Sequence, residues 1–184
     1  MTRIVAGVAG GRRLSVPPKG TRPTSERVRE ALFSALEAAV DLEGARVLDL
    51  YAGSGALGLE ALSRGAGHAL FVESDRRAAE VLRGNVAAVG LRGAEVRAAA
   101  VGSVLGLAAP APYDVVLADP PYAVDAAALS AALAALVANG WVTNGSLVLV
   151  ERAARDGGLE WPEPLVGLRS RKYGDTAVHW AQWP

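Results

Sequence analysis

The sequence contains no cysteine, only two lysines and only two histidines. The lack of cysteine excludes disulfides, thiolate metal sites and a cysteine nucleophile. No secretory signal is expected, because the first three residues lead into glycines and arginines instead of an apolar run. Residues 126–150 carry no charge, but two Asn-Gly pairs interrupt them and predict a helix, a turn and a buried strand, not a membrane span. We therefore expect a cytoplasmic protein with no metal and no membrane contact.

The net charge of zero conceals an uneven distribution. Residues 1–30 contain seven cations and two acids, a balance of +5, and the remainder contains 12 cations and 17 acids, a balance of −5. A basic arm on an acidic body favours a polyanionic partner, although a solvated, flexible terminus could have the same charge. The candidate phosphate-binding cations are Arg3, Arg12, Arg13, Lys19, Arg22 and Arg27.

The hydrophobic pattern predicts an α/β fold. Residues 3–16 suggest a short hairpin or loop on the surface. Thr24 suggests an N-cap for a helix that continues to residue 39. Predicted strands at 46–51, 69–73, 95–99, 115–118 and 147–150 alternate with helices, which indicates a doubly wound parallel sheet. Residues 165–172 and 176–183 predict a final antiparallel hairpin. The 184 residues fit one domain (24–184) preceded by a basic extension (1–23).

A glycine-rich loop follows the first predicted strand. Gly53, Gly55 and Gly58 match the spacing G-x-G-x-x-G, and Glu73 follows at the end of the next strand, where an acid accepts hydrogen bonds from a ribose. Either a nicotinamide dinucleotide or S-adenosylmethionine fits this pattern, and so does a plain strand–helix turn. Asp49 before the glycines favours S-adenosylmethionine, because its amino-acid end is cationic. The candidate cofactor-binding residues here are Asp49, Ala52, Gly53, Ser54, Gly55, Gly58, Glu73 and Ser74.

The predicted strand 115–118 leads into Asp119, Pro120, Pro121 and Tyr122, the candidate catalytic residues. The two prolines stiffen the turn. Asp119 and the Pro120 carbonyl can then both accept hydrogen bonds from one exocyclic amine, while the Tyr122 ring stacks on a base. Such an amine is a poor nucleophile until its lone pair is localised and pointed at a methyl donor, so positioning supplies much of the catalysis. Whether Asp119 also removes a proton is left open.

With both motifs in place, the sequence resembles the RsmD-type 16S ribosomal RNA guanine-N2 methyltransferases. Four segments carry the resemblance over nearly the whole chain: 3–4 with 11–12, 22–24 with 27–30, 49–65, and 119–122. It implies a Rossmann-like class I methyltransferase with a seven-stranded mixed sheet whose last strand is antiparallel. It also implies S-adenosylmethionine as cofactor and a guanine of 16S rRNA as target, within the small ribosomal subunit or an assembly intermediate. We expect a monomer.

The sequence departs from the family after the third strand, where relatives often place a polar residue near the adenine. Here the run is 98–101, Ala-Ala-Ala-Val, so contacts from Ala100 and Val101 would have to come from the backbone. Four alternatives stay open: an amino-methyltransferase acting on adenine N6 or on protein glutamine, a small-molecule methyltransferase, a nicotinamide-dependent oxidoreductase, and a non-catalytic RNA-binding module.

Overall fold

The computed structural model describes residues 1–18 and 24–184. Its helices are α1 (Glu26–Ala39), α2 (Ala56–Ser63), α3 (Arg76–Val89), α4 (Val101–Leu105) and α5 (Ala126–Ala138). Its strands are β1 (Thr2–Arg3), β2 (Arg13–Leu14), β3 (Arg46–Leu50), β4 (His68–Glu73), β5 (Ala94–Ala98), β6 (Val115–Ala118), β7 (Leu147–Ala153), β8 (Val166–Tyr173) and β9 (Thr176–Gln182). None of the helices in the described residues is both long and apolar enough to span a membrane.

Seven strands form the central sheet in the order β5-β4-β3-β6-β7-β9-β8. Strands β3 to β7 pair in parallel, and β9 pairs antiparallel with both β7 and β8. The expected class I sheet with an antiparallel last strand is confirmed. The strand order reverses between β3 and β6, and ligands of doubly wound sheets bind outside the carboxyl ends of the strands at such a point.

Each face of the sheet packs against helices. All four residues of β6 are buried, as a parallel strand covered on both faces requires. Side chains of α1, α2 and α3 form one hydrophobic core with the sheet, and those of α4 and α5 form the other. The short helix α4 has no counterpart in the sequence prediction.

The N-terminal hairpin packs on the main core. β1 and β2 pair antiparallel, which confirms the hairpin suggested within residues 3–16. The hairpin is more than a surface element, because Ile4, which follows β1, and Leu14 in β2 are fully buried in the core shared with α1, α2 and α3. The buried Glu60 carboxylate accepts hydrogen bonds from the backbone N–H groups of Val5 and Ala6 at 2.9 and 3.0 Å. The proposed boundary at residue 23 lies outside the described residues. Residues 2–14 nevertheless share their core with the sheet.

Helix α1 differs from its prediction in two ways. The N-cap is Ser25, whose hydroxyl accepts from the Val28 N–H, so the assignment of the cap to Thr24 was wrong by one residue. Arg29, which the charge count treats as part of the basic arm, is fully buried, with its Nη1 3.9 Å from the Glu60 carboxylate. The basic surface of the first 30 residues is therefore smaller than the count suggests.

Candidate active site

A cleft of about 680 Å³ crosses the carboxyl ends of the central strands. Its walls come from the residues that follow β3, β4 and β6, from the end of β7, and from the β8–β9 turn. The N-terminus of α1 closes one side through Thr24, Ser25 and Val28. A cavity at this place is expected, because the sheet topology reverses between β3 and β6.

The glycine loop has the conformation that its composition predicts. Gly53 and Gly55 have φ angles of +56° and +85°, a left-handed region that other residues adopt at a cost. Gly58 serves packing, because a Cβ there would lie 2.3 Å from Cε1 of the fully buried Phe71. Two glycines of the motif therefore shape the loop, and the third lets α2 approach β4.

Glu73 at the end of β4 connects the glycine loop to the next turn. Its Oε1 accepts from the Gly53 N–H at 2.8 Å and its Oε2 from the Asp75 N–H at 2.7 Å. Each carboxylate oxygen has a second lone pair, so Glu73 can still accept hydrogen bonds from ribose hydroxyls. Glu73 and the exposed Ser74 both line the cleft.

Asp49 lies beneath the loop and is almost completely buried. Its Oδ2 accepts from the Gly58 N–H at 2.9 Å, and burial raises the pKa of this carboxyl to about 8. Asp49, Ala52, Gly53 and Ser54 line a small cavity of about 50 Å³. That cavity shares Thr24, Tyr51 and Asp119 with the cleft, so the loop and the candidate catalytic segment adjoin one another.

The segment 119–122 lines the cleft over its whole length. The Pro121 carbonyl accepts from the Val124 N–H at 2.9 Å, which closes the turn. The side chain of Tyr122 is 76% exposed, and the Arg155 guanidinium lies 5.9 Å from its ring centroid. An exposed ring at the mouth of a cleft is free to stack on a flat ligand.

Asp119 adjoins a second carboxyl, that of Glu151 in β7. The Thr24 hydroxyl lies 2.8 Å from Glu151 Oε2 and 3.4 Å from Asp119 Oδ2. Burial is the largest cause that raises the pKa of each carboxyl, and the charge of Glu151 raises the pKa of Asp119 further. A hydrogen bond donated by the Thr24 hydroxyl lowers the pKa of whichever of the two carboxyls accepts it.

The charge of the cleft favours a cationic ligand. Seven acids and two arginines line it among the described residues. A dinucleotide pyrophosphate would meet repulsion there, whereas a positively charged ligand would be attracted. Within the described residues, no group of three or more His, Asp or Glu side chains could hold a metal ion.

The remaining predicted site residues that the structure describes do not line the cleft. Ala100 is the exposed N-cap of α4 and Val101 is buried, and neither is among the residues that line the cleft. Arg3 forms an ion pair with Glu26 at 3.0 Å. Arg12 donates weakly to the Ala88 carbonyl near the end of α3, about 18 Å along the helix from its start at the cleft.

Arg13 and Arg27 are exposed, while Lys19 and Arg22 lie outside the described residues.

Sequence reasoning missed Thr24 as a site residue, and it missed Tyr51 and Glu151 altogether. Tyr51 follows β3 with φ +57°, the only non-glycine in the described residues with a positive φ. Glu151 could have been found, because it follows the apolar run 147–150 just as Asp119 follows 115–118.

Comparison with known proteins places this geometry in a family. The family model described as "Conserved hypothetical protein 95" matches residues 2–182. The Escherichia coli K12 protein named Ribosomal RNA small subunit methyltransferase D is 40% identical over 156 residues, which cover 84% of this chain and 76% of that protein. Its Haemophilus influenzae namesake is 35% identical over 176 residues, covering 94% and 89%. The solved structure of the candidate methyltransferase yhhF from Escherichia coli is 35% identical, with a TM-score of 0.88 over 98% of this chain and 97% of that one.

Proposed function

The chain belongs to the family described as conserved hypothetical protein 95 and is a methyltransferase with a class I fold, and we propose that it methylates the exocyclic N2 amine of a guanine in 16S ribosomal RNA. We propose S-adenosylmethionine as the donor. The observation that carries the proposal is the position of Asp119 and Tyr122 in an acidic cleft beside the glycine loop.

The cleft fits S-adenosylmethionine. The bound cofactor supplies a methyl group already activated on a cationic sulfonium, and the excess of acids in the cleft suits that charge. Glu73, held by two backbone N–H groups, would accept the ribose hydroxyls. Gly53 and Gly55 would allow close approach of the backbone, and Ala52, Ser54 and Ser74 would form the adjoining walls.

Residues 119–122 would bind and orient the target amine. The Asp119 carboxyl and the Pro120 carbonyl would accept its two hydrogens, which localises the nitrogen lone pair and directs it toward the donor methyl. The stiff Pro120-Pro121 turn fixes both acceptors before the base arrives, so little ordering remains to be done during the reaction. The Tyr122 ring would stack on the base and hold its plane.

The basic residues near the first helix would bind the RNA backbone. Arg13 and Arg27 are exposed, and Arg3 lies beside Glu26 at the start of α1, the end that borders the cleft. We propose that these cations bind phosphates of an rRNA presented on the small subunit or an assembly intermediate, and that the enzyme acts as a cytoplasmic monomer. We propose that Lys19 and Arg22, which lie outside the described residues, also bind RNA phosphates.

The role of Asp119 is tested by comparing Asp119→Ala with Glu80→Gln, which removes an exposed carboxylate on α3. We expect Asp119→Ala to bind S-adenosylmethionine with near wild-type affinity in calorimetry and to lose methyl transfer to unmethylated 16S rRNA. Glu80→Gln should retain both. An active Asp119→Ala variant would contradict the proposed arrangement of the amine.

A further inference from the structure

Glu151 is a half-buried carboxyl that the proposed chemistry does not yet use. It lies in β7, the strand next to β6, and it lines the same cleft as Asp119. Val150 and the three residues before it are buried apolar side chains, so the strand delivers one acid to the cleft as soon as the hydrophobic run ends. Removing a carboxyl from water costs free energy unless it is hydrogen-bonded or paired, so the partner of Glu151 matters.

The Thr24 hydroxyl joins the two carboxyls. A hydroxyl carries one proton, which the 2.8 Å distance assigns to the bond with Glu151 Oε2. The 3.4 Å approach of Asp119 Oδ2 to the same oxygen is favourable when Asp119 carries a proton and points it at Thr24. The three groups therefore form a chain along which one proton can pass from Asp119 through Thr24 to Glu151.

On the basis of the proposed function, we propose that Thr24 and Glu151 complete a proton relay, in which Asp119 receives the proton released by the target amine and Glu151 finally holds it. The target nitrogen forms a bond to the methyl carbon as the carbon–sulfur bond breaks, and the bonding pair stays on sulfur. The nitrogen then loses one proton to Asp119. As Asp119 transfers a proton to the Thr24 oxygen, the Thr24 hydroxyl gives its own to Glu151.

The charge balance of the cleft supports this relay. Methyl transfer removes the positive charge of the sulfonium from an acidic cleft, and a proton on the carboxyl pair, Asp119 and Glu151, restores it. Two neighbouring carboxyls hold one proton more firmly than either does alone. Asp49 acts on the pair as well, because its charge raises the pKa of Asp119, and Tyr51 and Arg152 line the same cleft. His179 lies on the neighbouring strand β9, and its Nδ1 forms a hydrogen bond with the Ser170 hydroxyl.

Kinetics of three variants test the relay, once circular dichroism shows that each is folded. We expect Glu151→Gln to lower kcat on the order of 10²-fold, within the range for a lost proton acceptor, with KM for donor and RNA changed less than threefold. Thr24→Val should lower kcat about tenfold or more, and Thr24→Ser should restore it because it keeps the hydroxyl. The wild type should show a rise of kcat with pH as the carboxyl pair loses its proton, and this rise should be lost in Glu151→Gln.

Titration of the free protein gives a readout independent of activity. Carboxyl carbon NMR of Glu151→Gln should show Asp119 titrating at lower pH than in the wild type, because the neighbouring negative charge is gone. Glu80→Gln should leave the Asp119 titration unchanged. An unchanged Asp119 titration in Glu151→Gln, or a kcat within threefold of the wild type, would overturn the relay while the proposed function stands. A wild-type enzyme that methylates no guanine would instead overturn the proposed function, and the role of the relay with it.

Discussion

A Cβ at position 58 would have no room, whereas one at position 84 would have ample space. At Gly58 in α2 the added atom would lie 2.3, 2.8 and 3.0 Å from three ring carbons of Phe71. Phe71 is fully buried and lies in β4, between β3 and β5, so its ring has little freedom to move aside. At Gly84 in the middle of α3 a Cβ would meet nothing within 4 Å.

These two environments predict opposite signs for the same substitution. Overpacking a core costs about 1–3 kcal/mol, and alanine regains at most about 1 kcal/mol of helix propensity over glycine. Gly58→Ala should therefore lower the free energy of unfolding by up to about 2 kcal/mol. Gly84→Ala has only the propensity gain and should raise it by about 0.8–1 kcal/mol.

Thermal unfolding monitored by circular dichroism distinguishes the two. For a chain of this size 1 kcal/mol corresponds to about 2–4 °C in Tm. We expect Tm to fall by up to roughly 4–8 °C in Gly58→Ala and to rise by roughly 2–4 °C in Gly84→Ala. A Gly58→Ala protein at least as stable as the wild type would refute the close packing of α2 on Phe71, and with it the explanation of the third glycine in the motif.

Three further predictions concern the cleft and the RNA surface. The folded-state pKa of Asp49, about 8, lies above its unfolded value of 3.8, so its contribution to stability is fully present below about pH 3.8 and is lost as the pH rises through about 8. Urea unfolding should show a smaller loss of stability between pH 5 and pH 8.5 in Asp49→Asn than in the wild type, and an equal loss would count against the buried acid. Tyr122→Ala should raise KM for RNA about 5- to 150-fold, because the stacking of the ring on the base is lost. Tyr122→Phe keeps the ring and should keep the wild-type KM. A Tyr122→Ala variant with the wild-type KM would exclude stacking. Arg27→Ala should reduce the slope of log K against log salt concentration for RNA binding by about 0.7–0.9. Arg92→Ala, which removes another exposed arginine, should leave this slope unchanged. An equal slope in Arg27→Ala and the wild type would show that Arg27 does not contact the RNA.

The sheet and the central motifs could be predicted because their signals are local. The apolar run 115–118 followed by Asp-Pro-Pro-Tyr identifies a buried strand that ends at a stiff turn, and both lie where expected. The spacing from Gly53 to Glu73 likewise predicts two neighbouring strands, and β3 and β4 do pair. The Gly53 N–H donates to the Glu73 carboxylate at 2.8 Å, which connects the residues that follow the first strand with the end of the second. The pattern of residues within one segment is sufficient for such inferences.

The missed features depend on contacts between distant segments. Arg29 looks like one more surface cation, and only the packing of the N-terminal hairpin against α1 and α2 explains why it is buried beside Glu60. The sequence around Thr24 suggests a helix cap, but the cap is the next residue. The Thr24 hydroxyl instead forms a hydrogen bond with Glu151, which lies 127 positions further along the chain. No periodicity within a segment encodes these contacts, because they form only when the sheet has brought the segments together.

The most direct test of the proposed function is the identity of the methylated nucleoside. The purified protein would be incubated with S-adenosylmethionine carrying a labelled methyl group and with unmethylated small ribosomal subunits or free 16S rRNA, with Asp119→Ala as the matched inactive control. After digestion of the RNA to nucleosides, we predict that the label is in N2-methylguanosine and is absent with the control. Label in N6-methyladenosine, or no transfer from the wild type to either substrate, would contradict the account.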